Sequence, residues 1–161
     1  MSQVADTWRC FITEAERAWL CVFDSARKTG WHHRDGAPLG RLPARFGTRR
    51  KIYNYFRRWW GSRLSSIMLC SLPLVQRPDG LYVILYDVPP VSLDVKEVRV
   101  VARKNHEIMV ETWLDGGPEG RVRIHHALRY DSVRSRPMIV RRSDTAEDFR
   151  YQEYCRWSAE E

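Results

Sequence analysis

Residues 42–60 have the sequence LPARFGTRRKIYNYFRRWW, from which the organisation of the N-terminal half of the chain is predicted. Its large apolar residues recur at i, i+3, i+4, i+7 and i+8, which predicts an amphipathic helix. They are Ile52, Tyr55, Phe56, Trp59 and Trp60. Thr48 is the predicted N-cap, after a short apolar turn at 42–46 and Gly47. At about 100° per residue, the opposite face of this helix carries Arg50, Lys51, Asn54, Arg57, Arg58 and Gly61.

The positive charge of the chain is concentrated around this helix. The 161 residues carry a formal net charge of +7, from 27 basic and 20 acidic side chains. No acidic residue lies between Asp35 and Asp79, whereas nine basic residues do, which leaves 18 basic and 20 acidic side chains elsewhere. A basic segment with interleaved aromatic residues is typical of a protein that binds a polyanion, most often nucleic acid. The alternative is a solvated helix face whose arginine stems cover apolar surface.

A short helix, a turn at Gly47 and a second helix with a cationic outer face is the layout of a helix-turn-helix motif. In that motif the second helix enters the major groove of DNA. Arginine recognises guanine and asparagine recognises adenine through paired hydrogen bonds, so Arg50 and Asn54 are the predicted base-reading residues. Phosphate contacts position such a helix without specifying sequence. The residues predicted to make them are Arg45, Arg49, Lys51, Arg57 and Arg58.

Two stretches, TGWHHRD at residues 29–35 and the first eighteen residues of the quoted segment, carry a family resemblance. Together they resemble the N-terminal DNA-binding region of bacterial insertion-sequence transposases of the IS five group. The resemblance covers residues 13–60, and the matching positions are Thr13-Glu14-Ala15, Thr29-Gly30, Arg34-Asp35, Leu42-Pro43, Phe46-Gly47, Tyr53, Phe56 and Arg58-Trp59. The sequence departs from the family at His33, which stands where the family has tryptophan, and at the apparent insertion 36–41.

The resemblance implies a DNA-binding function and does not extend to the catalytic domain of such transposases. That domain resembles ribonuclease H and holds two divalent metal ions on three carboxylates. Only Asp87, after the apolar run LYVILYD, lies where a first such carboxylate is expected, and its alternative role is a residue in a strand-end turn. The chain is therefore interpreted as a truncated or repurposed relative without strand-transfer chemistry.

The remaining patterns predict one more helix and several strands. Thr13 and Glu16 have the spacing of a capping box, and an apolar stripe from Ala15 to Ala26 follows. Residues 31–43 are rich in Gly, Pro and His and are predicted to form a loop, whereas a helix through 64–72 is predicted to end at Pro73. The predicted strands are 81–87, 97–104, 107–113, 121–130, 137–142 and, at the tail, 149–157, with a hairpin turn at 115–120.

The predicted fold class is α+β. An N-terminal helical, helix-turn-helix-like segment (residues 1–76) precedes a C-terminal segment (residues 77–161) that forms a mostly antiparallel β-sheet or a small barrel. Adjacent side chains on a strand point to opposite faces, so His125 and His126 are not expected to share a metal ion. No cofactor, metal site or catalytic constellation is predicted, and the chain is not expected to be an enzyme.

The sequence also bears on location and partners. No apolar run reaches the ~18–20 residues of a membrane span, and the N-terminus lacks the pattern of a secretory signal. We therefore expect a cytoplasmic protein whose four cysteines are reduced and partly buried. The predicted partner is double-stranded DNA, and the alternatives are an acidic protein or RNA docked on the basic helix. A homodimer is compatible with these predictions, and a third hypothesis is a ligand enclosed by the β-rich half.

Overall fold

The computed structural model describes residues 2–118, 120–131 and 136–152, together with Cys155 and Trp157. Within them the α-helices are α1 (Ser2–Asp24), α2 (Arg49–Phe56) and α3 (Ser62–Ser71). The strands are β1 (Arg27–His32), β2 (Pro38–Arg41), β3 (Leu74–Arg77), β4 (Gly80–Ile84), β5 (Asp94–Lys104), β6 (Glu107–Gly117), β7 (Gly120–Asp131) and β8 (Arg136–Arg142). Short 3-10 helices occupy Ala44–Phe46, Thr145–Glu147 and Phe149–Tyr151.

The strands form two antiparallel sheets of four strands each, so the predicted α+β class is confirmed. Their orders are β1-β2-β4-β3 and β5-β6-β7-β8. The second sheet is open, with β5 and β8 at its edges, and a small barrel is not confirmed. The predicted segment boundary between residues 76 and 77 lies within β3, and the first sheet takes strands from both sides of it.

The second sheet forms where alternating and apolar patterns predict it. The predicted hairpin turn is confirmed, because β6 and β7 remain paired down to Gly117 and Gly120. Gly120 has a φ of +76°, a conformation that costs glycine little and other residues much more. The opposite orientation of the paired histidines is also confirmed, since His126 is fully buried and the His125 side chain is 38% exposed.

The predicted loop at residues 31–43 is wrong in part, because residues 31–32 and 38–41 belong to the hairpin formed by β1 and β2, whereas 33–37 form its turn. These strands pair antiparallel, with Arg27 opposite Arg41 and His32 opposite Pro38. β1 is an edge strand, and five of its six residues are exposed. A strand with no buried face has no apolar alternation, and its composition then resembles that of a loop.

Helix α1 begins before the residue predicted to cap it. The capping box is wrong, because the helix runs from Ser2 and the Thr13 hydroxyl donates to the carbonyl of Arg9 at 2.6 Å. The apolar stripe that follows is confirmed in Ala15, Trp19 and Val22, all buried. Glu16 lies on the same buried side as these residues, which a capping role does not explain.

Trp60 joins the helical part of the molecule to the second sheet. Its indole is fully buried, and its Nε1 donates to the carbonyl of Ala15 at 3.0 Å. The backbone next to it pairs with β8: the amide of Gly61 donates to the carbonyl of Ile139 at 2.8 Å, and the amide of Ile139 donates to the carbonyl of Trp59 at 2.8 Å. The link between α2 and α3 is therefore fixed to the sheet on both sides of Trp60.

Charged side chains are buried between α1, the second sheet and the C-terminal segment. We call this group of side chains, each at most 12% exposed, the Glu16 cluster. Its members are Glu16, His126, Arg142, Asp148, Arg150 and Tyr151. Arg142 donates from Nη2 and Nε to the two oxygens of Glu16 at 2.6 and 3.0 Å. Arg150 donates from Nη2 to Asp148 at 2.6 Å. Two carboxylates face two guanidinium groups, so the cluster is balanced in charge while His126 is neutral.

His126 is expected to make folding sensitive to mild acid. Burial lowers the pKa of His126 below its ordinary value of 6.5, and the nearby Glu16 carboxylate offsets only part of that effect. The unfolded chain then binds a proton more readily than the folded one, so stability present above pH 6.5 falls as the pH decreases through that value. Besides Glu16, the charged groups that influence His126 are Arg142 and Arg150.

We expect the free energy of unfolding to fall less in His126→Gln than in the parent, by at most about 1 kcal/mol, when the pH is lowered from about 7 to about 5.5. Urea unfolding at both pH values measures this difference. His125→Gln is the control, since it changes the neighbouring histidine on the opposite face of β7. Equal pH dependence in the parent and His126→Gln would contradict the prediction.

The C-terminal segment differs from the predicted final strand. Phe149–Tyr151 forms a 3-10 helix, so the predicted strand at 149–157 is wrong in that part. Gln152, Cys155 and Trp157 are not in a strand either, and the other three residues lie outside the described ones. Cys155 forms a disulfide with Cys70 of α3. The prediction of four reduced cysteines is wrong for this pair, whereas Cys10 and Cys21 are free and exposed.

Candidate nucleic-acid interface

Helix α2 begins where the sequence predicts and ends one turn earlier. The Thr48 hydroxyl accepts a hydrogen bond from the amide of Lys51 at 3.2 Å, which confirms Thr48 as the N-cap. Ile52 and Phe56 are fully buried, as the apolar stripe requires. The helix stops at Phe56 because the following residues adopt a turn whose backbone pairs with β8.

Most of the predicted cationic face of α2 is exposed to solvent. The exposed members are Arg50, Lys51, Asn54 and Arg58, and Arg45 is exposed just before the helix. Arg49 and Arg57 are half-buried. The four exposed side chains of this face can therefore meet a partner without unfolding, whereas Gly61, at the end of the predicted face, is buried against β8.

The two predicted base-reading residues lie one turn apart on α2. Asn54 is exposed. The guanidinium carbon of Arg50 lies 5.5 Å from the centroid of the Trp157 ring, which itself packs 5.0 Å from the ring of Tyr53. Such a cation–π contact is worth about 0.5–1 kcal/mol at an exposed site.

The predicted phosphate-binding residues differ in how they are held. The guanidinium groups of Arg45 and Arg58 lie over aromatic rings, 5.0 Å from Phe46 and 5.4 Å from Trp59. Their guanidinium groups therefore stack on aromatic rings, and both residues remain exposed. Arg57 is different, because its Nη1 donates to the carbonyl of Trp60 at 3.2 Å and lies 3.0 Å from the sulfur of Met138.

The helix-turn-helix arrangement itself is not confirmed. The predicted short helix before Gly47 is a single 3-10 turn, Ala44–Phe46. Helices α2 and α3 are joined by a short turn at 57–61, but the second of them is mostly buried through Leu64, Met68 and Leu69. The cationic surface therefore belongs to the first helix of that pair, and α2 rather than α3 is the element able to enter a groove.

The sequence did not single out Arg27, which lies at the same end of α2. A cleft of about 680 Å³ separates the β1–β2 hairpin from the start of α2, and Arg27, Arg41 and Lys51 line it together with Asp79. Arg27 lies beside Arg41 because β1 pairs with β2. The sequence does not reveal this pairing, so the only signal for Arg27 in the sequence is its charge.

A catalytic metal centre has no counterpart among the described residues. They contain no group of three or more His, Cys, Asp or Glu side chains arranged to hold a metal ion. Asp87 is exposed in the irregular segment that follows β4.

The buried polar atom His126 Nε2 lies 3.6 Å from Glu16 inside the Glu16 cluster, where both side chains are fully enclosed.

Comparisons with known proteins leave the family of this chain open. Within the described part of the chain, no helix combines the length and apolar character that crossing a membrane requires. The resemblance to the transposase DNA-binding region stays a prediction. No model of a known protein family matches the chain, and a search of curated proteins finds no significant relative.

Proposed function

We propose that this protein binds double-stranded DNA through the cationic face of α2. The observation that carries the proposal is the exposure of that face, with Arg50, Lys51, Asn54 and Arg58 all at the surface. A buried face would have excluded the function. The absence of acidic residues between Asp35 and Asp79 supports it further, because it concentrates positive charge along this part of the chain.

The residues of the face divide into two roles. Arg50 and Asn54 read base edges in the major groove, and Arg45, Arg49, Lys51 and Arg58 contact phosphates on either side. Arg57 contributes less to binding than its sequence position suggests, because its guanidinium is bonded within the protein. The role is that of a transposase-like DNA-binding protein without strand-transfer chemistry, and a homodimer is compatible with it.

The charge contribution of one phosphate-binding residue is testable by salt dependence. Arg58→Ala is expected to weaken duplex binding and to reduce the slope of log affinity against log salt by about 1. Asn54→Ala, on the same face, is expected to leave that slope unchanged because it removes no charge. It is expected to relax the sequence preference, because it removes a base-reading side chain. Fluorescence anisotropy between about 50 and about 200 mM salt measures the slope, and selection from a pool of random duplexes measures the preference.

Arg121→Ala is the matched control for the loss of one positive charge, since Arg121 is exposed on the second sheet. If Arg121→Ala changes the slope as much as Arg58→Ala does, binding follows net charge and not the α2 face. If the parent protein shows no salt-sensitive duplex binding at about 50 mM salt, the proposal fails.

The alternative function is docking of the basic helix on RNA or on an acidic protein. Preferential binding of single-stranded RNA over duplex DNA, or recovery of a defined acidic partner after nuclease treatment, would support it.

A cytoplasmic location belongs to the main proposal. The redox state of Cys70 and Cys155 in cells tests this location, because structural disulfides are rare in reducing compartments.

A further inference from the structure

The cleft beside the start of α2 is a second cationic surface with its own geometry. One wall is the β1–β2 hairpin, with Arg27, Thr29 and Arg41, and the other is the start of α2, with Thr48 and Lys51. Arg27 and Arg41 are cross-strand partners, so their side chains lie next to each other on one face of the first sheet. Both residues are exposed.

Two of the three cations in this cleft are oriented by hydrogen bonds to the backbone. Arg41 donates from Nη2 to the carbonyl of Asp79 at 2.6 Å, and Lys51 donates from Nζ to the carbonyl of Ala44 at 3.0 Å. Neither bond neutralises charge, because both acceptors are uncharged carbonyl groups. The cleft therefore presents positively charged groups in defined positions.

Asp79 supplies the carboxylate that lines the cleft. A hydrogen bond from the Tyr82 hydroxyl, at 2.6 Å, lowers the pKa of Asp79, so this carboxylate is ionised at neutral pH. One oxygen of Asp79 lies 3.8 Å from Arg41. Three cations face one carboxylate, and the cleft has an excess of two positive charges.

Lys51 connects the cleft to the exposed face of α2. It lines the cleft and also belongs to the cationic face. The eight residues of α2 make a helix about 12 Å long, and the major groove is about 12 Å wide. A helix of this length fits within the groove, and the cleft lies at its N-terminal end.

We propose that this cleft binds the phosphate backbone of the same DNA duplex, next to the groove that α2 enters. The inference rests on the proposed function and adds Arg27 and Arg41 to the interface. Their role is to bind phosphodiester groups and to position α2, without reading sequence. The hairpin thereby extends the contact beyond the residues of the helix.

Two substitutions with opposite expected signs test this inference. Arg27→Ala is expected to reduce the salt slope by about 1, so that affinity falls about threefold less than in the parent between about 50 and about 200 mM salt. Asp79→Asn is expected to raise duplex affinity about twofold to fivefold at low salt, because it removes a negative charge near the phosphates. Asparagine retains an oxygen that can accept the Tyr82 hydroxyl, and damage to the fold would lower affinity, not raise it.

The matched control is again Arg121→Ala, and Arg58→Ala reports on the α2 face in the same assay. Affinity and slope are measured by anisotropy on one labelled duplex. If Arg58→Ala reduces the slope whereas Arg27→Ala and Asp79→Asn equal the parent, the cleft inference is wrong and the proposed function stands. If Asp79→Asn fails to raise affinity, the inference is equally wrong. If the parent protein does not bind duplex DNA, both proposals are overturned.

Discussion

Glu16→Gln is expected to lower the free energy of unfolding by about 3–5 kcal/mol at neutral pH, because it leaves an uncompensated charge in the interior. Glu16 is fully buried, and its carboxylate accepts hydrogen bonds from Nε and Nη2 of Arg142 and from the Tyr151 hydroxyl at 3.0 Å. Asp148 is the other carboxylate of the Glu16 cluster. Without the charge of Glu16, two buried guanidinium groups share this single carboxylate.

The effect is also expected to depend on pH in a defined direction. Burial by itself raises the pKa of Glu16, but the charges of Arg142 and Arg150 outweigh burial and hold that pKa well below its ordinary value of 4.5. The contribution of Glu16 is therefore complete above pH 4.5 and is lost as the pH falls towards the lower folded-state pKa. Parent and variant should accordingly become more similar in stability below pH 4.5.

Urea unfolding at neutral and acidic pH measures both expectations. Glu14→Gln is the matched control, because Glu14 lies on the same helix and accepts a hydrogen bond from Trp59 Nε1 at 3.1 Å, which glutamine can also accept. We expect it to cost less than about 1 kcal/mol. A loss of similar size in both variants would show that the Glu16 cluster carries no special charge dependence.

The Glu16 cluster illustrates what the sequence cannot provide. Glu16 lies on the buried stripe of α1, four residues after Ile12 and three before Trp19, and an acid in that position signals a buried partner. Its spacing from Thr13 instead suggested a capping box. The partner Arg142 is 126 residues away, and no local pattern connects the two. Periodicity predicts which side of a helix is buried, but it does not identify what meets that side.

In the candidate interface, too, some features could be predicted from local sequence and others could not. The N-cap at Thr48 and the exposed cationic face of α2 depend on spacing within one helix, and both were predictable. Two features were not, because each depends on a contact distant in sequence. Arg57 is bonded to Met138, and Arg27 joins the cleft through a hairpin whose exposed edge strand has no apolar alternation. Local chemistry therefore predicted the helix, whereas tertiary pairing determined which cations surround it.

Cys155→Ser is expected to lower the free energy of unfolding by about 2–4 kcal/mol under oxidising conditions. The disulfide connects Cys70 and Cys155 across a sequence separation of 85 residues, and removing so large a closed loop increases the entropy of the unfolded chain. Cys155 is the better position to change because it is exposed, whereas Cys70 is buried in α3 and tolerates the thiol form.

Reduction provides the test of this stabilisation. Urea unfolding of the parent protein in a dithiol reductant should match that of Cys155→Ser, because both then lack the cross-link, and the difference should appear only without reductant. Cys10→Ser is the control, since Cys10 is a free, exposed thiol and its loss should leave stability unchanged in either condition. A difference that persists in reductant would mean that the serine side chain, and not the missing cross-link, destabilises the protein. No difference in either condition would mean that the cross-link does not contribute to folding, because its strain or a compact unfolded state cancels the entropy gained.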